Sequence, residues 1–175
     1  MLKHSPWLLS TLFALSGFVP FNQGNLTPDL VRQERSAALV LTNKLRAAHH
    51  AAPLVIDNRL NQIAQEYAEH LANTGNFQHS ENGYGENLYS DSGYAHQGVA
   101  TRAVQAWYDE VADYRFDAPG FSSATGHFTQ VVWKGSRKVG FGIALSANKR
   151  SLYVVANYDP PGNVLKAFKS NVSPK

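Results

Sequence analysis

KVGFGIALSANKRSLYVVANYDPPG, residues 138–162, is the stretch whose reading decides the fold. Lys138 to Leu145 and Leu152 to Tyr158 are rich in Val, Ile, Phe and Tyr, the residues that suit a pleated, packed surface. The six residues Ser146 to Ser151 between them read as a turn, so the two runs form a hairpin. Asp159-Pro160-Pro161-Gly162 stops the sheet, because proline cannot continue a ladder. Gly140 and Gly142 occupy alternate positions of the first run and leave room for a neighbouring backbone or helix. Just upstream, Phe128 to Trp133 has a similar composition and is expected as a third strand.

Further toward the N-terminus the period changes to that of helices. Thr27-Pro28-Asp29 supplies an N-cap, a proline at the first helical position and an acid in the first turn. Leu30, Glu34, Ala37, Leu41, Leu45 and Ala48 then follow at three- and four-residue steps, an apolar stripe with one acidic interruption. Asp57 caps a second helix with Leu60, Ile63, Ala64, Tyr67 and Leu71 on one face, closed by Asn73-Thr74-Gly75. Phe77 to His96 reads as a structured loop with room for one short strand, and a third helix is predicted from about Gln97 to Tyr114. Helices first and strands later predict an α+β domain, an antiparallel sheet covered by helices.

The 175 residues fit one domain, and 43% apolar with 11% aromatic content is enough to form a packed core. A net charge of +3 without a run of like charges speaks against a nucleic-acid partner. The absence of cysteine removes disulfides, thiolate metal sites and cysteine nucleophiles together, so any metal must be held by His and carboxylate. Lys3 and His4 precede an apolar stretch from Trp7 to Val19, and Ala14-Leu15-Ser16 has the small-x-small pattern of a processing site. The expected organisation is a signal peptide over 1–16, a linker over 17–26 and a domain over 27–175, exported to the cell exterior or a bacterial periplasm. Asn25-Leu26-Thr27 and Asn171-Val172-Ser173 match the glycosylation acceptor pattern and are expected at flexible ends.

Two local groups combine His with carboxylate. His79-Ser80-Glu81 precedes Gly85-Glu86-Asn87-Leu88, and Trp107-Tyr108-Asp109-Glu110 precedes Gly126-His127-Phe128-Thr129. Two imidazoles and two carboxylates brought to one cleft suit a divalent ion such as zinc. The same groups suit proton transfer without metal, and spacing alone leaves solvated or capping roles open as well.

GHFTQVVW, residues 126–133, resembles the first signature of the CAP superfamily, which groups cysteine-rich secretory, antigen-five and pathogenesis-related proteins. YVVANYDPPGN, residues 153–163, resembles its second signature, and the two His/Glu groups fall where that family has them. The resemblance covers about Leu30 to Val172, and Gly162-Asn163-Val164 is similar to the Golgi-associated pathogenesis-related branch. Leu2 in place of glycine removes that branch's myristoylation site. The resemblance implies an α-β-α sandwich whose central antiparallel sheet is enclosed by helices. It further implies a cleft with the tetrad His79, Glu86, Glu110 and His127, in which the His residues hold zinc or another divalent ion and the Glu residues orient them. Its implied role is an exported binding module for a sterol or fatty acid beneath the loop from Tyr89 to His96, for a membrane surface, or for a protein partner. The alternative is a metal-assisted or Ser-based hydrolase in the same cleft, with Ser92 or Ser90 as nucleophile, His79 as base and Glu110 as its orienter. Tyr84, Tyr89, Trp107, Phe128 and Trp133 are expected as core and cleft wall.

Overall fold

The computed structural model describes residues 26–92 and 96–175. The signal peptide, nearly all of the linker and the acceptor Asn25 lie outside the described residues, as do positions 93–95 of the loop expected to cover a lipid cavity.

Helix α1 (Pro28–Ala48) starts where Thr27 accepts a hydrogen bond from the Leu30 amide at 3.2 Å. After the short strand β1 (Val55–Ile56), helix α2 (Asn58–Thr74) is capped by Asp57, which accepts from the amides of Arg59 and Leu60. Gly75 ends it at φ 70°, a conformation that costs glycine little. Strand β2 (Gly85–Asp91) occupies the middle of the expected loop, and helix α3 (Val99–Asp109) passes into a 3-10 turn over Glu110–Asp113. Helix α4 (Gly126–Val131), the hairpin of β3 (Lys138–Leu145) and β4 (Leu152–Asp159), and the short α5 (Phe168–Asn171) complete the described chain.

The sheet order is β1-β3-β4-β2. The three long strands are antiparallel, as expected, but the two-residue β1 runs parallel to β3, so the sheet is mixed. Val139, Phe141 and Ile143 of β3, with Val154, Ala156 and Tyr158 of β4, face the cluster built with α1, α3, α4 and α5. Tyr153, Val155 and Ala144 face α2. Period-2 alternation thus packs one sheet into two layers of helix, the α-β-α sandwich. A Cβ on Gly140 would lie 2.1 Å from the backbone of Leu60, and one on Gly142 2.1 Å from that of Ala64. Helix α2 therefore rests directly on the backbone of β3, which is what the alternate glycines provide for.

Two expectations are corrected. Phe128 to Trp133 is not a strand: residues 126–131 are helical. Phe128, Thr129, Gln130 and Val131 are all buried, and burial on every side erases the periodicity that separates helix from strand. On α1, the row that packs inward is Glu34, Ala38, Thr42 and Arg46, one step round from the predicted stripe. Its two charged members serve neighbouring backbone. Glu34 accepts from the amides of Gly98 (2.6 Å) and Ala100 (2.9 Å) and so caps α3, whose N-cap Gly98 has no side chain to do it. Arg46 donates to the carbonyls of Ala52, Val131, Trp133 and Ser136. Burial pushes its guanidinium down to about 10, still charged at neutral pH.

The C-terminal end is also more ordered than its composition implied. Val172 is buried, and His49 Nδ1 donates to the Ser173 carbonyl at 2.6 Å while its Nε2 accepts from the Tyr108 hydroxyl at 2.9 Å. Burial holds His49 below its ordinary value, in keeping with a neutral ring in that tautomer. Asn171 accepts from the Gly135 amide and donates to the Ala167 carbonyl, so the second acceptor pattern sits in a hydrogen-bonded corner rather than at a flexible end.

Arg46→Met should cost about 3 to 5 kcal/mol, because the carbonyls it serves lose a charged donor inside the fold. Trp133→Ala should cost a similar amount, about 3 to 5 kcal/mol for a truncated buried Trp. Urea denaturation measures both; a midpoint unchanged from the wild type would contradict the assignment.

Candidate functional site

The carboxylates of the predicted tetrad are structural before they are chemical. Glu110, where α3 passes into the 3-10 turn, accepts from the amides of His127 and Phe128 through Oε2, both at 3.0 Å. It thereby caps α4, whose own N-cap Thr125 makes no side-chain bond. Its other oxygen, Oε1, meets His127 Nδ1 at 2.6 Å. Glu86 sits in β2 opposite Asn157 of β4 and its side chain is 6% exposed. It accepts from His79 Nδ1 at 2.8 Å, from the Ser80 amide at 3.0 Å and from the Ser80 hydroxyl at 2.5 Å.

Each imidazole therefore donates from Nδ1 to a carboxylate, which fixes the tautomer that leaves the Nε2 lone pair free. The two rings share one hollow of about 310 Å³, lined also by Glu86, Asn87, Phe121, Gly126 and Asn163. Trp107 stacks against His127 with ring centroids 6.4 Å apart and donates through Nε1 to the Leu88 carbonyl. The four residues come together as two pairs, His79 with Glu86 and His127 with Glu110. The expected pairing of His79 with Glu110 is thus corrected. Ser90 and Ser92 are exposed toward the far end of β2, roughly 13 and 20 Å along the chain from Glu86 at the ordinary strand rise, so neither reaches His79.

Several residues of the hollow were not anticipated. Asn163, at φ 57°, donates to the Gly126 carbonyl at 2.9 Å and accepts from the Thr129 hydroxyl at 2.5 Å, tying the turn after β4 to α4. Asn87 donates to the His127 carbonyl. Ser123 and the largely exposed Phe121 form the rim. The Asn after Pro-Pro-Gly was the one signal available, since Asn tolerates the left-handed region. Of the predicted aromatic wall, Trp107, Phe128 and Trp133 are buried in the core, and Tyr84 and Tyr89 are half-buried.

Residues 39–158 match the model of the cysteine-rich secretory protein family, CAP. The chain belongs to the CAP family. It is 40% identical over 149 residues to human Golgi-associated plant pathogenesis-related protein 1, covering 82% of this chain and 94% of that one. It is 36% identical over 134 residues to pathogenesis-related protein PR-1 of Medicago truncatula, covering 75% of this chain and 76% of the relative. Secreted protein RBT4 of Candida albicans is 45% identical over 125 residues, 70% of this chain and 34% of the relative, so the chain spans about a third of that protein. Among solved structures, NaASP2 with Zn2+ superposes with a TM-score of 0.67 at 24% identity, over 87% of this chain and 90% of that one, and shows the fold. BmVAL-1 superposes with a TM-score of 0.62 at 26% identity, over 86% of each chain.

Electrostatics distinguish the two members of the His79–Glu86 pair. The hydrogen bond to Glu86 lifts His79 above its ordinary 6.5, against a smaller opposing effect of burial. Burial pushes Glu86 up, but the bonds from His79, Ser80 and Asn157 together outweigh it and hold the carboxyl below its ordinary 4.5. Stability from the raised His79 is complete below pH 6.5 and is lost as pH rises through its folded value. Stability from the lowered Glu86 is present above pH 4.5 and is lost as pH falls through its folded value. The stability gap between wild type and His79→Ala should therefore be wider at about pH 5.5 than at about pH 8.5, read from urea midpoints. A gap of equal size at both values would show that the pair contributes no titrating stabilisation.

Proposed function

We propose that this CAP domain is an exported binding module whose His79/His127 hollow takes a divalent cation such as zinc. The observation that carries the reading is the pair of imidazoles, each with Nδ1 committed to a carboxylate, lining one hollow. This donor chemistry fits the group: neutral Nε2 atoms oriented through carboxylates are a common way to present imidazole to zinc. Among the described residues no group of three or more His, Asp or Glu is arranged to hold a metal, so His79 and His127 would be the protein ligands and water or a bound partner would complete the shell. When bound, the ion would supply a Lewis-acidic anchor for an anionic or carbonyl oxygen.

The binding partner belongs to the classes the family resemblance implies: a sterol or fatty acid, a membrane surface, or another protein. Export is supported by the apolar run from Trp7 to Val19 and by a relative named as a secreted protein. The hydrolase alternative has one supporting observation, that Ser123 lines the hollow with His127, whose Nδ1 is held by Glu110. Against it, the amides of His127 and Phe128 are already occupied by Glu110, leaving them unable to serve a developing oxyanion.

Zinc should raise the melting temperature at pH 7 and raise it less at pH 5, where protons compete with the ion for ligand nitrogen. The elevated His79 value sharpens that contrast. Replacing both His79 and His127 with Ala should abolish the shift. A metal-independent melting temperature at both pH values would overturn the metal reading, and ester or peptide cleavage lost in the double variant with lipid retention intact would favour the hydrolase.

A further inference from the structure

The edge of α2, where its packed face meets solvent, carries a group of residues that the His/Glu hollow does not use. Tyr67 and His70, three positions apart and so neighbours on the helix surface, stack with planes 16° apart and centroids at 5.6 Å. The Tyr67 hydroxyl donates to the Gln78 carbonyl at 2.6 Å, which anchors this ring pair. A cavity of about 480 Å³ is lined by Tyr67, His70, Gln78, His79, Ser80 and Glu81. A second, of about 360 Å³, adds Ile63, Glu66 and Asn82 to the shared Tyr67, His70 and Ser80. His79 in turn lines both the first cavity and the His79/His127 hollow, so the concave surface continues from one to the next. Each cavity is near the lower end of the roughly 300 to 1,000 Å³ seen for small-molecule sites, and together they accommodate an elongated ligand.

The chemistry of this groove narrows the ligand class. Carboxylate, imidazole, hydroxyl and amide groups dominate the first cavity, which a lipid chain would leave without partners, while the second adds apolar surface from Ile63 and the Tyr67 ring. Glu66 and Glu81 disfavour phosphate, sulfate and other anions. Glu81 also stands at φ 54°, a left-handed conformation uncommon for this residue type, and such outliers gather at functional sites. A neutral molecule with many hydroxyls and a flat C–H face meets all of these conditions: its face packs on the ring pair, and its hydroxyls donate to carboxylate and to the Ser80 oxygen and exchange hydrogen bonds with imidazole.

We infer that the Tyr67–His70 groove binds a neutral oligosaccharide, one sugar ring packed on the ring pair and the next units running toward His79. The site is independent of any metal in the neighbouring hollow. Titration of the protein with chitotetraose, cellotetraose and maltotetraose, followed by calorimetry or amide chemical shifts, tests it. At least one should bind with a Kd of about 1 mM or tighter, and His70→Ala and Glu81→Gln should each weaken it about tenfold or more. Both side chains are on exposed residues, so a thermal melt is expected to show both variants folded. Retention of the zinc-dependent thermal shift in His70→Ala separates this site from the metal hollow. No saccharide binding at about 10 mM, equal affinity in both variants, or binding only of an unstructured polar peptide used in parallel would overturn the inference.

Discussion

A single carboxylate, Glu110, joins the fold to the site. Helix α4 is only six residues long and begins at Gly126 without a side-chain cap of its own, so its first amides need an acceptor from elsewhere. Glu110 supplies it from the far end of α3 and uses its second oxygen to hold His127. The orientation of the imidazole is thus as rigid as the helix start to which its partner is bound. Loss of the carboxylate would release the helix N-terminus and the ring together.

The same device recurs. Glu34 of α1 caps α3 across the interior, and Glu86 of β2 ties down Ser80 while it orients His79. Arg46 is the cationic counterpart, binding carbonyls from the α1–β1 connection, α4 and the segment leading to β3. Buried charge of this kind is tolerated because every ion is surrounded by backbone donors or acceptors in short, charge-assisted bonds. In a chain with no disulfide, these cross-element bonds hold irregular segments that a small apolar core would leave loose. The long connection from Tyr114 to Thr125 lies between two such fixed points, Glu110 and the start of α4.

The α2 face presents a different logic. Close contact between α2 and the glycines of β3 commits one side of the helix to the sheet; Tyr67 sits half-buried at the edge of that contact, with Glu66 and His70 exposed beyond it. The segment after the helix, from Gln78 to Asn82, folds back against that edge, so the His79/His127 hollow and the proposed saccharide groove share His79 as a common wall.

Local chemistry determined much of this from residue order alone. Thr27-Pro28 and Asp57 mark helix starts, Gly75 marks a stop, Gly140 and Gly142 mark the approach of α2, and two runs rich in Val, Ile, Phe and Tyr around a turn mark the hairpin, because each signal depends on neighbours within a few residues. The motif resemblance also singled out His79, Glu86, Glu110 and His127. What residue order could not supply was which carboxylate meets which imidazole, since 110 and 127 are joined only by the folding of a long connection. It equally misread 128–133 as strand and α1 by one step, because segments buried on all sides and polar rows satisfied by distant backbone carry no local period. Tertiary structure decided those points, for the reason that a buried charge is placed by its partners and its partners lie elsewhere in the chain.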